Sequence, residues 1–249
     1  MAKMNQSMIN KEYMRWVVRA WRYRLRTEKQ EIYFLLNHLK PGQTVLDIGA
    51  HKGAYTYWMS NRVGELGRVI AFEPQPRLNA YLSLIAKKAP IKNIHVESLA
   101  LSSKEGNATM GVPRDNPSPS ASLNQINGET ALGITVKTTT LDDYVQNHDL
   151  SSIDLIKCDV EGHELDVFKS GYETLTQYKP VVMLECEARH NGTENVNAVF
   201  KYFRNLNYDG CFFDGKSFSN LDEFDLETYQ TGSNRNIYVN NFFFTPKSK

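Results

Sequence analysis

The stretch TVLDIGAHKGAYTYWM, residues 44–59, decides the fold of this chain. Its apolar start predicts a β-strand, and its two glycines predict a turn that leads into a helix. Asp47 lies at the tip of that strand, and Glu73 follows the next apolar run, residues 69–72. In an open α/β sheet, ligands bind at the carboxyl ends of the strands. The sequence therefore predicts a binding pocket bordered by two carboxylates.

The residue types of this turn indicate which ligand the pocket takes. The spacing matches neither G-x-G-x-x-G nor G-x-x-x-x-G-K-[ST], so no dinucleotide or triphosphate cradle is predicted. Asp47 would repel a phosphate but suits an ammonium group, and Glu73 can accept hydrogen bonds from both hydroxyls of a ribose. Together they indicate a nucleoside with a charged tail that is not a phosphate. A helix-capping role for Asp47 and a surface role for Glu73 are the alternatives.

The bulk composition is that of an ordinary folded α/β chain. Of its 249 residues 41% are hydrophobic and 23% charged, and a net charge of +1 gives no general attraction to nucleic acid. No apolar run approaches the roughly 20 residues that span a bilayer, so no transmembrane segment is expected. Three widely spaced cysteines, Cys158, Cys186 and Cys211, predict buried thiols in a reducing, cytoplasmic environment.

The order of the predicted elements favours a doubly wound α/β domain over residues 42–249, preceded by a helical extension over residues 1–41. Strands are expected near 43–48, 68–72, 94–97, 153–158 and 180–186, and helices near 54–63, 76–88 and 162–177. This alternation predicts a mostly parallel sheet with helices on both faces. A β excursion near 106–138 with a Pro/Ser-rich loop, a candidate lid, interrupts it. Two late strands, near 210–213 and 236–244, predict an antiparallel pair at a sheet edge.

Six motifs carry a family resemblance over roughly residues 44–187. They are, in order, DIGAHKGAYT, AFEPQP, LALSSKEG, TTTLDDYV, IDLIKCDVEGHELDVFKSG and KPVVMLECE. Through them the chain resembles the FkbM family of S-adenosylmethionine-dependent methyltransferases. The resemblance implies a class I methyltransferase (Rossmann-like) fold with a seven-stranded sheet and S-adenosyl-L-methionine as cofactor. It also implies O-methylation of a sugar, glycoside or polyketide-like small molecule.

The resemblance also implies which residues bind the cofactor. They are Asp47, Gly49, Ala50 and Gly53 at the methionine end, Glu73 at the ribose, and Ser98, Leu99 and Ala100 at the adenine. His51, within the glycine turn, is expected to contact cofactor or solvent. Asp159 lies at the strand tip nearest the expected sulfonium, so it is a further candidate for cofactor binding.

The run KCDVEGHE supplies the candidates for catalysis. His163 is the first choice for a general base because an unperturbed histidine titrates near neutral pH, and Asp159 and Glu161 are its rivals. Acids here also favour a helix N-terminus, which is the structural interpretation of Glu161 and Glu164. No metal site is predicted, although strand-end acids including Glu185 and Glu187 leave cation-assisted catalysis as an alternative.

Partners and competing functions remain open at this point. The expected partner is a small molecule with a hydroxyl group. The basic N-terminal helix is either a solvated face or a docking surface for an anionic substrate, partner or membrane, and a homo-oligomer is left open. A nicotinamide-dependent oxidoreductase and a non-catalytic interaction protein that keeps the fold are the alternatives to a methyltransferase.

Overall fold

The computed structural model describes residues 6–113, 121–123, 131–233 and 237–247. Two compact units divide after Ala100, and each is described separately. The candidate lid spans residues 113–122, and its residues 114–120 lie outside the described residues, as do residues 124–130.

The first unit joins two N-terminal helices to three strands. Helix α1 (Gln6–Arg22) runs through a π-helical turn (Tyr23–Thr27) into α2 (Lys29–His38), and then come β1 (Thr44–Ile48), α3 (Ala54–Val63), β2 (Arg68–Phe72), α4 (Pro76–Lys88) and β3 (Ile94–Glu97). Strand β2 lies between β1 and β3 and is parallel to both. Four of the five residues of β1 and of β2 are buried, as expected for strands covered on both faces.

The N-terminal helix α1 packs firmly on this unit. It contacts α3 and α4, and Trp16 lies in a buried cluster with Ile85 and Ala89. The Trp58 indole Nε1 donates a hydrogen bond of 2.9 Å to the carbonyl oxygen of Ala20. Two large aromatic side chains therefore fix the inner face of α1.

The second unit contains five strands of mixed direction and an antiparallel hairpin. Its elements are β4 (Ala100–Leu101, at the division), β5 (Gly106–Pro113), β6 (Ala131–Thr139), α5 (Leu141–Asn147), β7 (Leu155–Cys158), α6 (Glu164–Lys169), α7 (Tyr172–Tyr178), β8 (Val181–Glu185), α8 (Ala188–Asn205), β9 (Tyr208–Phe213), β10 (Phe218–Asn220) and β11 (Asn241–Pro246). Strand β7 is parallel to β8, and β11 runs antiparallel between β8 and β9. Strand β10 extends β9, and β5 and β6 form the hairpin.

The predicted fold class is confirmed: the protein is mixed α/β with a large, mostly parallel sheet. The β excursion is confirmed as the β5–β6 hairpin, whereas the seven-strand count and the division at residues 41 and 42 stay predictions. The late antiparallel pair exists, but β11 lies inside the strand order and β10 follows β9. The helix expected over 162–177 is two helices, because Asp142 accepts hydrogen bonds from the backbone N–H groups of Glu173 and Thr174 and so caps α7 separately.

Two expectations from the composition can be compared with the described residues. No helix among them is both long and apolar enough to span a membrane. All three cysteines are free thiols, with Cys158 and Cys186 buried and Cys211 partly exposed.

Candidate active site

The glycine turn after β1 is bonded to the end of β2. The backbone N–H groups of Gly49 and Ala50 both donate to the carbonyl oxygen of Phe72, at 3.1 and 3.0 Å. Gly49 and His51 have positive φ angles, 78° and 49°. A left-handed backbone is inexpensive at glycine and costly at histidine, so this compact turn carries strain of the kind found at functional sites.

Glu73 is buried directly after β2 and binds the same turn. Its Oε2 accepts a hydrogen bond of 2.8 Å from the backbone N–H of His51, and its Oε1 accepts one of 2.9 Å from Gln75. Burial raises the pKa of Glu73 to about 7, although these two N–H donors oppose the rise. The Gln75 side chain is a further hydrogen-bond partner of this carboxylate, so a ribose diol that binds here would share the acceptors with it or displace it.

Asp47 is fully buried near the end of β1 and is oriented by the first turn of α3. The Thr56 hydroxyl donates to Asp47 Oδ2 at 2.5 Å. The side chain is therefore held in one rotamer by a neighbour nine residues away. Asp47 lies at the strand end expected for a ligand. Its negative charge also helps to raise the pKa of Glu73. Both observations are consistent with a site for a cationic group.

Gly53 leaves no room for a side chain, because Leu82 and Trp16 pack against it; its role in cofactor binding stays a prediction. Its φ is 71°, and a Cβ there would lie 2.5 Å from Leu82 Cδ1 and 2.9 Å from Trp16 Nε1. The Trp16 indole also donates a hydrogen bond of 2.6 Å to the Gly53 carbonyl oxygen. The sequence analysis missed Trp16, and only its position on the inner face of the N-terminal helix could have drawn attention to it.

The residues predicted to border the adenine follow β3. Ser98 is exposed, Leu99 is partly buried and Ala100 is buried. Their role stays a prediction.

In the second unit, the KCDVEGHE run forms a tight turn after β7. Lys157 Nζ lies 3.0 Å from Asp159 Oδ2. The buried Glu164 carboxylate accepts hydrogen bonds from the backbone N–H groups of Val160 (3.2 Å) and Gly162 (3.0 Å) through Oε1. Glu164 therefore shapes the turn, which agrees with its structural interpretation. Glu161 has a positive φ of 54°, another strained position.

His163 is buried at the start of α6 with both ring nitrogens engaged. Nε2 lies 2.9 Å from Ser102 Oγ, and Nδ1 lies 3.3 Å from Asp166 Oδ2. Burial lowers its pKa, and the nearby Asp166 opposes that effect. Catalysis by His163 stays a prediction, but one of these contacts would have to open before the ring could bind a hydroxyl.

Glu161 has a partner that the sequence analysis missed. Its Oε2 lies 2.8 Å from His190 Nε2, and this hydrogen bond raises the pKa of His190. The hydroxyl of Ser122 donates to the Glu161 carbonyl oxygen at 2.7 Å. His190 follows β8 by five residues, so extending the strand-end argument beyond Glu187 would have identified it.

The end of β8 carries two carboxyl groups of opposite character. Burial raises the pKa of Glu185 to about 10, so this group is neutral near pH 7. Burial would also raise the pKa of Glu187, but hydrogen bonds from Glu185 and Tyr238 and the charge of Arg189 outweigh burial and lower it. Asn240 Nδ2 donates to both carboxyl groups, at 2.7 and 3.3 Å.

These contacts bear on the alternative of cation-assisted catalysis. Asp159 faces Lys157, Glu161 faces His190, and Glu187 faces Arg189. Within residues 6–113, 121–123, 131–233 and 237–247, no group of three or more His, Cys, Asp or Glu side chains is arranged to hold a metal ion.

The buried Glu164 leads to a prediction about stability and pH. Burial raises its pKa to about 7, above the ordinary 4.5, so its favourable contribution is complete below pH 4.5 and is lost as pH rises through 7. Glu164→Gln keeps a carbonyl acceptor but cannot ionise. From pH 5.5 to pH 8, the difference in unfolding free energy should move in favour of the variant by about 1–3 kcal/mol.

Denaturant unfolding at the two pH values measures this shift. Glu73 also has a pKa of about 7, but it is present in both proteins and cancels in the difference. A difference that is independent of pH would contradict the raised pKa of Glu164.

The α/β architecture and the strand-end carboxylates define a class I methyltransferase fold. The chain is similar in structure to the O-methyltransferase of Bacillus cereus, which was solved in complex with SAH. The TM-score is 0.53 and the identity 11%, and the match covers 99% of this chain and 94% of that one. The profile described as the methyltransferase FkbM domain matches residues 47–209. The chain belongs to this family and is a methyltransferase, an enzyme class whose methyl donor is S-adenosylmethionine.

Two characterised relatives are similar in sequence. The chain is 31% identical to the hexuronic acid methyltransferase AglP of Haloferax volcanii, over 69% of this chain and 68% of AglP. It is 29% identical to the 2-O-methyltransferase NoeI of Sinorhizobium fredii, over 55% of this chain and 61% of NoeI. Family membership excludes the oxidoreductase and the non-catalytic protein considered above.

Proposed function

We propose that this protein is an S-adenosylmethionine-dependent O-methyltransferase that acts on a hydroxyl group of a sugar or glycoside. The observation that carries the proposal is Glu73, a buried carboxylate that two backbone N–H groups hold at a strand end. Such a group is suited to a neutral diol, because a carboxylate carries hydrogen-bond acceptors on both of its oxygens.

We assign the binding of the cofactor to residues of the first unit. When bound, S-adenosylmethionine supplies an electrophilic methyl group. Glu73 accepts hydrogen bonds from the ribose, and Asp47 provides negative charge for the methionine ammonium group. Gly49 and Ala50 form the backbone of the turn at that end, and Ser98 to Ala100 border the adenine. The role predicted for Asp159 in cofactor binding stays a prediction.

The acceptor class rests on the two relatives. Their names describe a hexuronic acid and a 2-O position, and methylation of a sugar hydroxyl fits both. A polyketide-like acceptor is the second candidate class. The free thiols fit a cytoplasmic enzyme, which is a further part of this proposal.

We propose that Glu161, rather than His163, is the general base that takes the proton of the substrate hydroxyl. A hydroxyl oxygen becomes strongly acidic as it forms its bond to carbon, so a carboxylate is a sufficient base. One carboxylate oxygen of Glu161 contacts His190 Nε2. The other oxygen can accept a hydrogen bond from the hydroxyl group of the substrate. His163 has both ring nitrogens engaged already.

Calorimetry and a methylation assay test the proposed function. We expect S-adenosylhomocysteine to bind at micromolar concentration, and labelled methyl groups to pass to hexuronic acid glycosides and related sugars. Absence of binding at millimolar S-adenosylhomocysteine would overturn the cofactor assignment. Binding without transfer to any sugar, but with transfer to hydroxylated polyketides, would replace the acceptor class only.

A matched pair of variants tests the assignment of the base. Glu161→Gln should lower kcat by about 10²–10⁴-fold, the usual contribution of a general base, and should leave the affinity for S-adenosylhomocysteine within about twofold. His163→Gln should reduce kcat far less. The reverse order, with a large loss in His163→Gln and near-normal turnover in Glu161→Gln, would return the role to His163.

A further inference from the structure

The outward face of the N-terminal helix carries a row of exposed apolar side chains. Met14, Val18 and Trp21 are spaced by four and three residues, which places them on one side of α1, and Leu25 follows four residues later in the π-helical turn. Their exposed fractions are 57%, 63%, 43% and 64%. Single exposed apolar residues are ordinary, but four in one row form a patch that indicates an interaction.

A row of cations runs beside this apolar row. Lys11, Arg15 and Arg22 are exposed along α1, and Arg26 is exposed in the π-helical turn that follows it. Arg15 is paired with Glu12, whereas Lys11, Arg22 and Arg26 form no ion pair with any acid in the described part of the chain. We call these two rows together the N-terminal face.

The helix that carries the N-terminal face is fixed to the first unit. On its inner side Trp16 and Ala20 are almost completely buried. Trp21 contacts Trp58 edge-on, with ring centroids 5.0 Å apart, and the Arg24 guanidinium lies 4.6 Å from the centre of a Trp58 ring. The exposed side chains therefore belong to an ordered helix, and their position is set by packing from behind.

We propose that the N-terminal face docks in the plane of an anionic lipid surface. The apolar row would enter the boundary between headgroups and acyl chains, and the cations would contact lipid phosphates. An apolar face with a basic flank is the pattern of helices that lie on membranes, and a partly exposed tryptophan suits that boundary. A second copy of this chain is a poorer occupant, since an antiparallel pairing of the two apolar rows would bring the two cationic rows to the same side of the contact.

Vesicle sedimentation with the full chain tests this proposal. Phosphatidylcholine vesicles that contain about 30% phosphatidylglycerol should bind the protein at least about tenfold more tightly than pure phosphatidylcholine. Each cation at a lipid surface contributes about fivefold, so replacing Lys11, Arg22 and Arg26 by Gln should weaken binding by up to about a hundredfold. Replacing Met14, Val18 and Leu25 by Ser should abolish most of the remaining affinity.

Matched controls are available elsewhere on the surface. Leu66→Ser removes an apolar side chain that is 91% exposed, and Lys40, Lys87 and Lys104 are exposed cations that can be replaced by Gln together. Neither control should change vesicle binding by more than about twofold, because one or three scattered changes leave the N-terminal face intact. Circular dichroism confirms that each variant is folded.

Three results would overturn the proposal. One is equal binding to neutral and anionic vesicles. Another is unchanged binding after the three cations or the three apolar residues are replaced. The last combines two observations: vesicle binding is absent, and sedimentation equilibrium without lipid shows a dimer that the Ser substitutions dissociate. This outcome would assign the N-terminal face to self-association. Because the readout is binding to lipid, it is independent of the methyltransferase assignment.

Discussion

Replacing Glu73 by alanine is expected to weaken the binding of S-adenosylhomocysteine by at least about a hundredfold. The substitution removes two acceptors for the ribose hydroxyls, and hydrogen bonds to a charged group contribute about 1.5–3 kcal/mol each. It also leaves the backbone N–H groups of His51 and Gln75 without their present acceptor. We expect the glycine turn to loosen as a result, which adds to the loss. Isothermal titration calorimetry measures the change.

The pH dependence of binding separates the loss of the ribose hydrogen bonds from the loosening of the glycine turn. Because the pKa of Glu73 is about 7, the ionised fraction rises from about one tenth at pH 6 to about nine tenths at pH 8. If only the carboxylate binds ribose well, affinity should rise about tenfold over this interval. Glu73→Gln keeps the shape of the side chain and one acceptor but does not titrate. Its affinity should be lower than that of wild type at pH 8 and nearly independent of pH.

Two outcomes would remove Glu73 from the cofactor site. One is unchanged affinity in Glu73→Ala. The other is the same pH dependence in wild type and in Glu73→Gln, which would show that a different group titrates.

The second large effect is expected at Gly53. Gly53→Ala places a methyl group 2.5 Å from Leu82 Cδ1 and 2.9 Å from Trp16 Nε1, at a φ of 71°. The left-handed backbone costs an alanine about 1–2 kcal/mol, and overpacking adds about 1–3 kcal/mol. The unfolding free energy should therefore fall by about 2–5 kcal/mol, measured by denaturant titration.

Gly42 provides a control for this substitution. Its φ is also positive, 86°, but a Cβ there would have no heavy atom within 4 Å. Gly42→Ala should lose only the backbone contribution, about 1–2 kcal/mol. The difference between the two variants isolates the contact with Trp16 and Leu82. Equal losses would show that the N-terminal helix yields to the methyl group.

Local sequence patterns were sufficient for the elements that have clear ends. Strand β2 (Arg68–Phe72) and helices α3 (Ala54–Val63) and α4 (Pro76–Lys88) agree with the predicted bounds to the residue. Each has an apolar core, and glycine or proline lies beside its end. The break between α6 and α7 could not be predicted, because the cap of α7 comes from Asp142, about thirty residues earlier.

The same distinction between local patterns and long-range contacts applies to the candidate site. Asp47 and Glu73 were found because strand ends and apolar runs are visible in a short window of sequence. Tyr238 and Asn240 were missed because they reach Glu187 and Glu185 from more than fifty residues away. Only the antiparallel pairing of β11 with β8 brings them there, whereas the sequence pattern paired that strand with β9 alone.

The placement of the tryptophans allows intrinsic fluorescence to report on one unit of the protein. All three, Trp16, Trp21 and Trp58, belong to the first unit, and residues 101–249 contain none. Indole emission therefore reports on this unit alone. Trp16 is sensitive to the glycine turn because it donates a hydrogen bond to Gly53, and Trp21 is sensitive to solvent because its ring is partly exposed. Far-ultraviolet circular dichroism follows both units. Comparing the two signals during unfolding tells directly whether the chain melts in one cooperative step or in two.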